Sequence, residues 1–254
     1  ATIGFTGAVL GMATVLAVIL ITVLILMPAG LPKGNTGAKF TEVFSMSPNV
    51  NWLSAARVVL FGARDVWFVV GIPIYFYATL SDGTAEGNRT SFFLIGTFMA
   101  IWVILYGLVQ INAPRILNAK SRTTAELISV TRLWAWALTL VPGVLAVAAL
   151  LANGPQHWLT LGLVLGLLLF GALFAINSSL HSFLILLFTK AERVTRDVGF
   201  YYMANAAGRL IGTLASGLTY HIGGLPLMLA IAAGMVALSA MAVSFLVPEE
   251  ETMG

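Results

Sequence analysis

The sequence contains no cysteine, and only 9% of its 254 residues are charged, against about 25% in ordinary soluble domains. The absence of cysteine excludes disulfide bonds, thiolate metal sites and thiol nucleophiles. The scarcity of charge comes with 59% hydrophobic residues and a mean hydropathy of +0.96. A soluble protein of this length could not hide so much apolar surface, because its exterior must face water. Soluble enzymes, nucleic-acid binders and disordered chains are therefore excluded, and we expect an integral membrane protein.

Two further absences narrow the function. No phosphate-binding loop of the form GxxxxGK[ST] occurs, so the chain carries no ATPase motor of its own. The three histidines, His157, His181 and His221, do not have the spacing of metal ligands. We therefore expect neither a nucleotide nor a metal as cofactor.

Seven apolar segments are long enough to cross a bilayer, which requires about 20 helical residues. Their hydrophobicity is continuous rather than alternating, which indicates helices and not barrel strands. The segments are residues 3–27, 52–80, 91–113, 132–152, 158–188, 199–220 and 225–247.

Lysine and arginine are distributed unequally between the connections. Nine of the 13 occur in the loops 28–51, 114–132 and 189–198. One, Arg89, occurs in the opposite connections. The remaining three, Arg57, Arg64 and Arg209, lie within the apolar segments. The positive-inside rule then predicts that the nine-residue side and the tail 248–254 are cytoplasmic.

This topology predicts a domain organisation. The first segment starts outside without the basic flank of a signal peptide, so we expect residues 1–27 to be the last transmembrane helix of an N-terminal half that this sequence lacks. Residues 28–51 are then a cytoplasmic central loop, and 52–247 a bundle of six helices in two triplets. A 3+3 arrangement is typical of transporters built from repeats. The third helix of each triplet has no charge in its core, so we expect it to face lipid while the other four line a cavity.

Charged side chains within the segments mark a candidate site, because they are costly in a bilayer. Arg57 and Arg64 are seven residues apart on one helix face, and Asp65 is the only carboxylate in any of the seven segments. Tyr201, Asn205 and Arg209 recur every four residues as a polar stripe. A second stripe of small residues, which predicts close helix packing, comprises Gly208, Gly212 and Ser216.

Three arginines against one carboxylate leave a positive cavity, which calls for an anionic solute. Arginine matches phosphate, arsenate and carboxylate oxygens in a bidentate geometry. We expect the substrate to be bound by Arg57, Arg64, Arg209, Asn177, Asn205, Tyr201 and Gln110. We expect proton coupling to use Asp65 and His181, since histidine titrates near neutral pH.

Less specific roles are open for the same residues. Arg64, Asp65 and Arg209 would then only lock helices together, and Arg57 would extend to the cytoplasmic surface. His181 would be a hydrogen-bonded packing residue.

Four stretches in this order resemble the ArsJ-like family of organoarsenical efflux permeases, in the major facilitator superfamily. They read NWLSAARVVLFGARDVWFVVGIPIYFY (51–77), WVILYGLVQINAPRIL (102–117), FAINSSLHSFLIL (174–186) and DVGFYYMANAAGRLIGTLASGL (197–218). The resemblance covers about 200 residues and implies the C-terminal part of a twelve-helix transporter.

The resemblance also implies a function. It is secondary export of 1-arseno-3-phosphoglycerate across the bacterial inner membrane, which confers arsenate resistance. The implied functional partner is glyceraldehyde-3-phosphate dehydrogenase, which forms that compound from arsenate.

Other functions stay open on the residues alone. One is export of another phosphorylated or carboxylated metabolite. A second is an intramembrane enzyme that uses Ser178 or Ser182 with His181, although no acidic orienting residue is near them in sequence. A third is a receptor or scaffold that does not transport, which would not explain the polar helices.

Overall fold

The computed structural model describes residues 4–27, 47–190 and 193–248. These residues are 91% helical and contain no strand. Six of their helices are long and apolar enough to cross a membrane. The prediction of an all-helical chain with the character of a multi-pass membrane protein is confirmed. Most of the predicted cytoplasmic tail, 248–254, and most of the predicted central loop, 28–51, lie outside the described residues.

The helices are numbered in chain order. They are α1 (Gly4–Leu26), α2 (Pro48–Asp65), a π-helical turn (Val66–Gly71), α3 (Ile72–Leu80), α4 (Ala85–Ile116), a 3-10 turn (Ala119–Ser121), α5 (Thr124–Ala152), α6 (His157–Leu187) and α7 (Val194–Ser244). Contacts divide the chain into two compact units, Ala1–Phe40 and Thr41–Gly254. In the first unit, α1 has 23 residues, and the side chains described on it are almost all exposed. A helix of that length spans about 35 Å, enough for the bilayer core.

In the second unit, α2, the π-helical turn and α3 form one continuous stretch from Pro48 to Leu80. Pro73 explains the irregular turn, because proline has no N–H and its ring displaces the carbonyl of the preceding turn. The N–H of Ile72 accordingly donates to the carbonyl of Trp67, five residues back. The N–H of Gly71 also donates to Ser216 Oγ of α7, at 3.2 Å. The turn begins directly after Asp65, the last residue of α2.

Helix α7 is 51 residues long but is interrupted at two glycines. Gly223 and Gly224 have non-helical backbone angles, and Gly224 has a φ of +61°, which favours glycine. The two parts run side by side, because Gly62 of α2 contacts both. A Cβ at Gly62 would meet the carbonyl oxygen of Gly208 at 3.1 Å and Met235 Cε at 2.5 Å. We call residues 194–222 α7a and residues 225–244 α7b.

One end of the second unit carries the basic connections. Asn49 and Val247 exchange hydrogen bonds of 2.8 and 2.9 Å, so the start of α2 and the end of α7b meet there. Arg132 Nη2 contacts the carbonyl of Ser244 at 3.5 Å, which brings the first part of α5 to the same end. We call this the basic end. Arg89, near the start of α4, lies at the opposite end.

Two predicted boundaries at this end are wrong. Arg132 was expected in the loop 114–132 but lies within α5, because Thr123 and Glu126 form a capping box that starts the helix at Thr124. Residues 194–198 were expected in a loop but form the first turn of α7. This turn includes Asp197, whose side chain is buried.

The bundle core separates into two apolar clusters along its length. One lies towards the opposite end and includes Trp67, Phe170 and Phe174. The other lies towards the basic end and includes Leu53, Leu184 and Val243. Helix α4 is the most exposed span of this unit, whereas α7b buries a complete face.

The stripe of small residues on α7a packs directly against the backbone of α2. A Cβ at Gly208 would meet the carbonyl oxygen of Val58 at 2.1 Å, and one at Gly212 would meet that of Gly62 at 2.3 Å. Backbone atoms cannot move aside as a flexible side chain can. These two glycines therefore set the distance between α2 and α7a.

This contact predicts that Gly212→Ala destabilises the bundle by about 1–3 kcal/mol, because overpacking a rigid contact displaces the helices. Gly217→Ala is the matched control, since nothing lies within 4 Å of a Cβ there. Unfolding of the purified chain in detergent, with denaturant, measures both variants. Equal stability of Gly212→Ala and Gly217→Ala would contradict the close packing.

Candidate functional site

A carboxylate held between two arginines is the main charged feature inside the second unit. Arg64 Nε donates to Asp65 Oδ1 at 2.6 Å, and Arg209 Nε donates to Asp65 Oδ2 at 3.1 Å. Asp65 is buried, with a side-chain exposure of 1%. Each arginine donates to a different oxygen of the Asp65 carboxylate. The group joins α2 to α7a, although Asp65 and Arg209 are 144 residues apart.

Local sequence explains why these groups meet. Gly208 lets α7a approach the backbone of α2 closely, and Arg209 is the next residue. Asp65 ends α2, directly before the π-helical turn. The close contact between the helices therefore places the guanidinium group of Arg209 within hydrogen-bond distance of the Asp65 carboxylate.

The two arginines differ in exposure. The side chain of Arg64 is 13% exposed, whereas that of Arg209 is 58% exposed. A guanidinium carries five N–H donors, and the two bonds to Asp65 use only the Nε of each arginine. The remaining donors of Arg209 lie on an open surface beside Leu210 and Leu214, which are also exposed. Charge on the surface of a membrane-spanning helix usually faces water or protein rather than lipid.

Arg57 has different surroundings, although it lies on the same helix. It is 4% exposed, which does not fit an extension to the surface. Its Nη1 donates to the carbonyl and to the hydroxyl of Ser178, at 3.2 Å each. Its guanidinium carbon lies 4.0 Å from the centre of the Phe61 ring and 4.8 Å from that of Tyr201. Arg64 lies over the same Phe61 ring at 4.9 Å, so this ring separates the two cations.

The contacts of Arg57 only roughly offset the cost of burying it. Desolvating one ion costs several kcal/mol even after relaxation. A desolvated cation–π contact is worth about 2 kcal/mol, and a hydrogen bond from a charged donor about 1.5–3 kcal/mol. No carboxylate of the described residues pairs with Arg57, and its Nε has no hydrogen-bond partner there. The positive charge is thus left without a counter-charge in this part of the chain.

Other buried polar groups surround Arg57. Asn177, Ser178 and His181 share one face of α6 and are completely buried. Asn177 Nδ2 donates to the carbonyl of Leu173 at 3.0 Å. Within the described ranges, neither ring nitrogen of His181 has a hydrogen-bond partner, so His181 is paired with neither Ser178 nor Ser182. The geometry therefore offers no serine–histidine pair for nucleophilic catalysis.

The predicted site residues divide into two groups. Arg64, Asp65 and Arg209 form the first, and Arg57, Asn177, His181 and Tyr201 form the second, deeper in the bundle. Asn205 is half-buried on α7a, one turn before Arg209. Gln110 is half-buried on α4, which packs against α6 and α3. The described contacts bring Gln110 to none of the three arginines.

Sequence reasoning missed several residues of these groups. Phe61 separates Arg57 from Arg64, and a signal existed, because an aromatic residue lies between two arginines one turn from each. Ser54 is buried on the face of Arg57, three residues before it, and its hydroxyl has no partner among the described residues. No sequence signal distinguished Ser54 from other serines at helix interfaces.

Three cavities lie elsewhere in the second unit. One of about 710 Å³ lies between α5 and α7b and is lined by apolar residues such as Val144 and Ala237. One of about 360 Å³ lies beside Tyr75 and Tyr220 at the opposite end. A third of about 340 Å³ lies between α4 and α6. None of these three is lined by an arginine, whereas Arg209 is 58% exposed and leaves its bond to Asp65 open on one side.

No protein-family model, curated protein or solved structure matches this chain.

The geometry predicts unequal roles in stability for Asp65 and Arg209. Asp65→Asn leaves two neighbouring cations without a carboxylate, and breaking a buried pair in this way costs about 3 kcal/mol. Arg209→Gln keeps the Arg64–Asp65 pair and removes a largely exposed partner, so we expect a loss of less than 1 kcal/mol. Denaturant unfolding of both variants in detergent measures the difference. A stable Asp65→Asn chain would mean that this carboxylate does not hold α2 to α7a.

Proposed function

We propose that this chain belongs to a secondary transporter that moves a small polyanion, with Arg64 and Arg209 as the anion site. The observation that carries the proposal is a carboxylate shared by two arginines, one of which is open on its outer side. The free donors of both guanidinium groups suit an oxyanion with several oxygens. Transport is favoured over catalysis, because the site carries charged groups that are accessible from one side and contains no nucleophile paired with a base.

The shared carboxylate suggests how binding would be coupled to a second ion. An incoming oxyanion competes with Asp65 for the donors of Arg209. A displaced carboxylate is no longer held by Arg209 and is available to take part in exchange. Asp65 is therefore the proposed proton-coupling group, and His181 is the alternative. An anion and a proton that occupy this group in turn would make the transporter an antiporter.

We further propose seven membrane spans, with α7a and α7b crossing separately. At 1.5 Å per residue, an unbroken α7 would measure about 77 Å, more than twice the bilayer core. The basic end would then be cytoplasmic, together with the C-terminus, in a bacterial inner membrane. On this proposal, the open side of Arg209 is covered by the N-terminal half of a transporter of the major facilitator superfamily.

The proposed substrate is 1-arseno-3-phosphoglycerate, because the chain resembles organoarsenical efflux permeases and that compound carries two groups suited to arginine. The physiological role would be arsenate resistance, in functional partnership with glyceraldehyde-3-phosphate dehydrogenase. Another phosphorylated or carboxylated metabolite would fit the same two arginines. Everted vesicles with the complete transporter, supplied with the dehydrogenase, its substrate and arsenate, distinguish the two. Arsenic uptake that requires the dehydrogenase supports the organoarsenical, whereas uptake of only a plain phosphate ester supports the alternative.

The anion site predicts the effect of replacing each arginine with lysine, which keeps the charge but loses the bidentate fork. Arg64→Lys or Arg209→Lys should weaken binding of a stable phosphonate mimic about 10- to 100-fold, from the loss of one charge-assisted hydrogen bond. Arg89→Lys, an exposed arginine at the opposite end, is the matched control. Calorimetric titration of the purified complete transporter measures the affinities. Unchanged affinity in both site variants would mean that these arginines only hold helices together.

Orientation can be tested with single cysteines, because the chain has none of its own. Lys120 and Arg89 are both exposed and lie at opposite ends of the bundle. The unequal distribution of basic residues predicts that Arg89→Cys reacts with an impermeant thiol reagent applied from outside cells, whereas Lys120→Cys reacts only after the membrane is opened. The reverse pattern of labelling would invert the proposed topology.

A further inference from the structure

A buried arginine without a carboxylate partner lies between α2, α6 and α7a. Arg57 is 4% exposed, and its nearest charged neighbour on α2, Arg64, is a second cation. Asp65 is already occupied by Arg64 and Arg209. Among the residues that the structure describes, the charge of Arg57 is met by two aromatic rings and by Ser178.

Hydrogen-bond donors without partners converge on the same place. They belong to four buried side chains, and within the described ranges none of these atoms has a partner: the Nε of Arg57, the hydroxyls of Ser54 and Tyr201, and the imidazole of His181. Ser54 and Arg57 are three residues apart on α2, and Ser178 and His181 are three apart on α6, so each pair shares a helix face. The bonds from Arg57 to Ser178 bring these two faces together. His181 also interacts electrostatically with Arg57.

Buried donors are nearly always hydrogen-bonded, and a buried charge is nearly always paired. Water could accept these hydrogen bonds but would not balance the charge. A small anion would do both, since it accepts from several donors at once. We propose that Arg57, Ser54 and His181 form an internal binding site for a small monovalent anion of the chloride type, which serves as the counter-ion of Arg57.

The site is distinct from the proposed transport site, and the inference does not depend on that function. Its donors are 4% exposed or less, whereas Arg209 is 58% exposed. A large solute has no open approach to Arg57 in this conformation. Asn177 Oδ1 is a neighbouring acceptor and takes no part, because an oxygen acceptor repels an anion.

The test is thermal unfolding of the purified 254-residue chain in detergent, in chloride and in gluconate at equal ionic strength. A bound counter-ion raises the unfolding temperature with chloride concentration until the site is full, by mass action. Bromide should replace chloride, and gluconate should not. A rise with phosphate but not with either halide would overturn the proposal in favour of an oxyanion site.

Single substitutions test which residues bind the anion. Arg57→Gln should abolish the difference between chloride and gluconate, while it is at least as stable as the parent chain in gluconate, because it no longer buries an unpaired charge. Arg89→Gln, at an exposed arginine, should keep the full chloride effect. Ser54→Ala removes one donor with little change in volume and should raise the chloride concentration at half-saturation about tenfold.

A direct measurement covers the case in which Arg57→Gln does not fold. Line broadening in the chloride NMR signal reports exchange with a bound site, and it should be weaker for Ser54→Ala than for the parent chain at equal chloride. An equal unfolding temperature of the parent chain in chloride and gluconate would overturn the proposal. So would a chloride response that is the same in the parent chain, Arg57→Gln and Ser54→Ala.

Discussion

The structure of the second unit depends on a shortage of negative charge in its interior. Arg57, Arg64 and Arg209 lie within the predicted apolar segments, and Asp65 is the one carboxylate that pairs with any of them among the described residues. Asp65 serves Arg64 and Arg209 together and so ties α2 to α7a. In a medium of low polarity, two cations near one carboxylate stay together only while that carboxylate is charged. The contact between these helices is therefore also the feature most sensitive to another anion.

Helix packing and electrostatics support one another in this contact. The two glycines of α7a allow backbone approach, and this approach brings Arg209 to Asp65. The π-helical turn follows Asp65, and Ser216 Oγ of the same small-residue stripe accepts a hydrogen bond from the N–H of Gly71 in that turn. A stripe of small residues thereby accommodates both a charge pair and a distorted helix. A larger side chain at Gly208 or Gly212 would disturb both.

The sequence was sufficient for the helical class and for the choice of charged residues, because apolar runs and intramembrane charges are local patterns. Those patterns also identified Gly208 and Gly212, which the structure shows against the backbone of α2. A contact of Arg209 with Asp65 was one of two alternatives in the sequence, since the two residues are 144 positions apart and their approach depends on the fold. The boundaries near Arg132 and Asp197 were missed for a simpler reason. Polar first turns of helices at a membrane surface look like loops in a hydropathy pattern.

Arg57 and Arg64 show how one residue type acquires two roles on one helix. They are two turns apart and contact the same Phe61 ring from different positions. Arg64 has a carboxylate next to it in sequence, so its charge is balanced within the chain. Its guanidinium group can bind either Asp65 or a ligand. Arg57 contacts only two aromatic rings and one serine among the described residues. The described structure therefore offers no carboxylate that could replace an anion bound to Arg57. We therefore expect an anion bound at Arg64 to exchange, and an anion bound at Arg57 to stay bound. Both guanidinium groups lie over the Phe61 ring, so the two cations are close enough to repel each other, and neither charge is independent of the other.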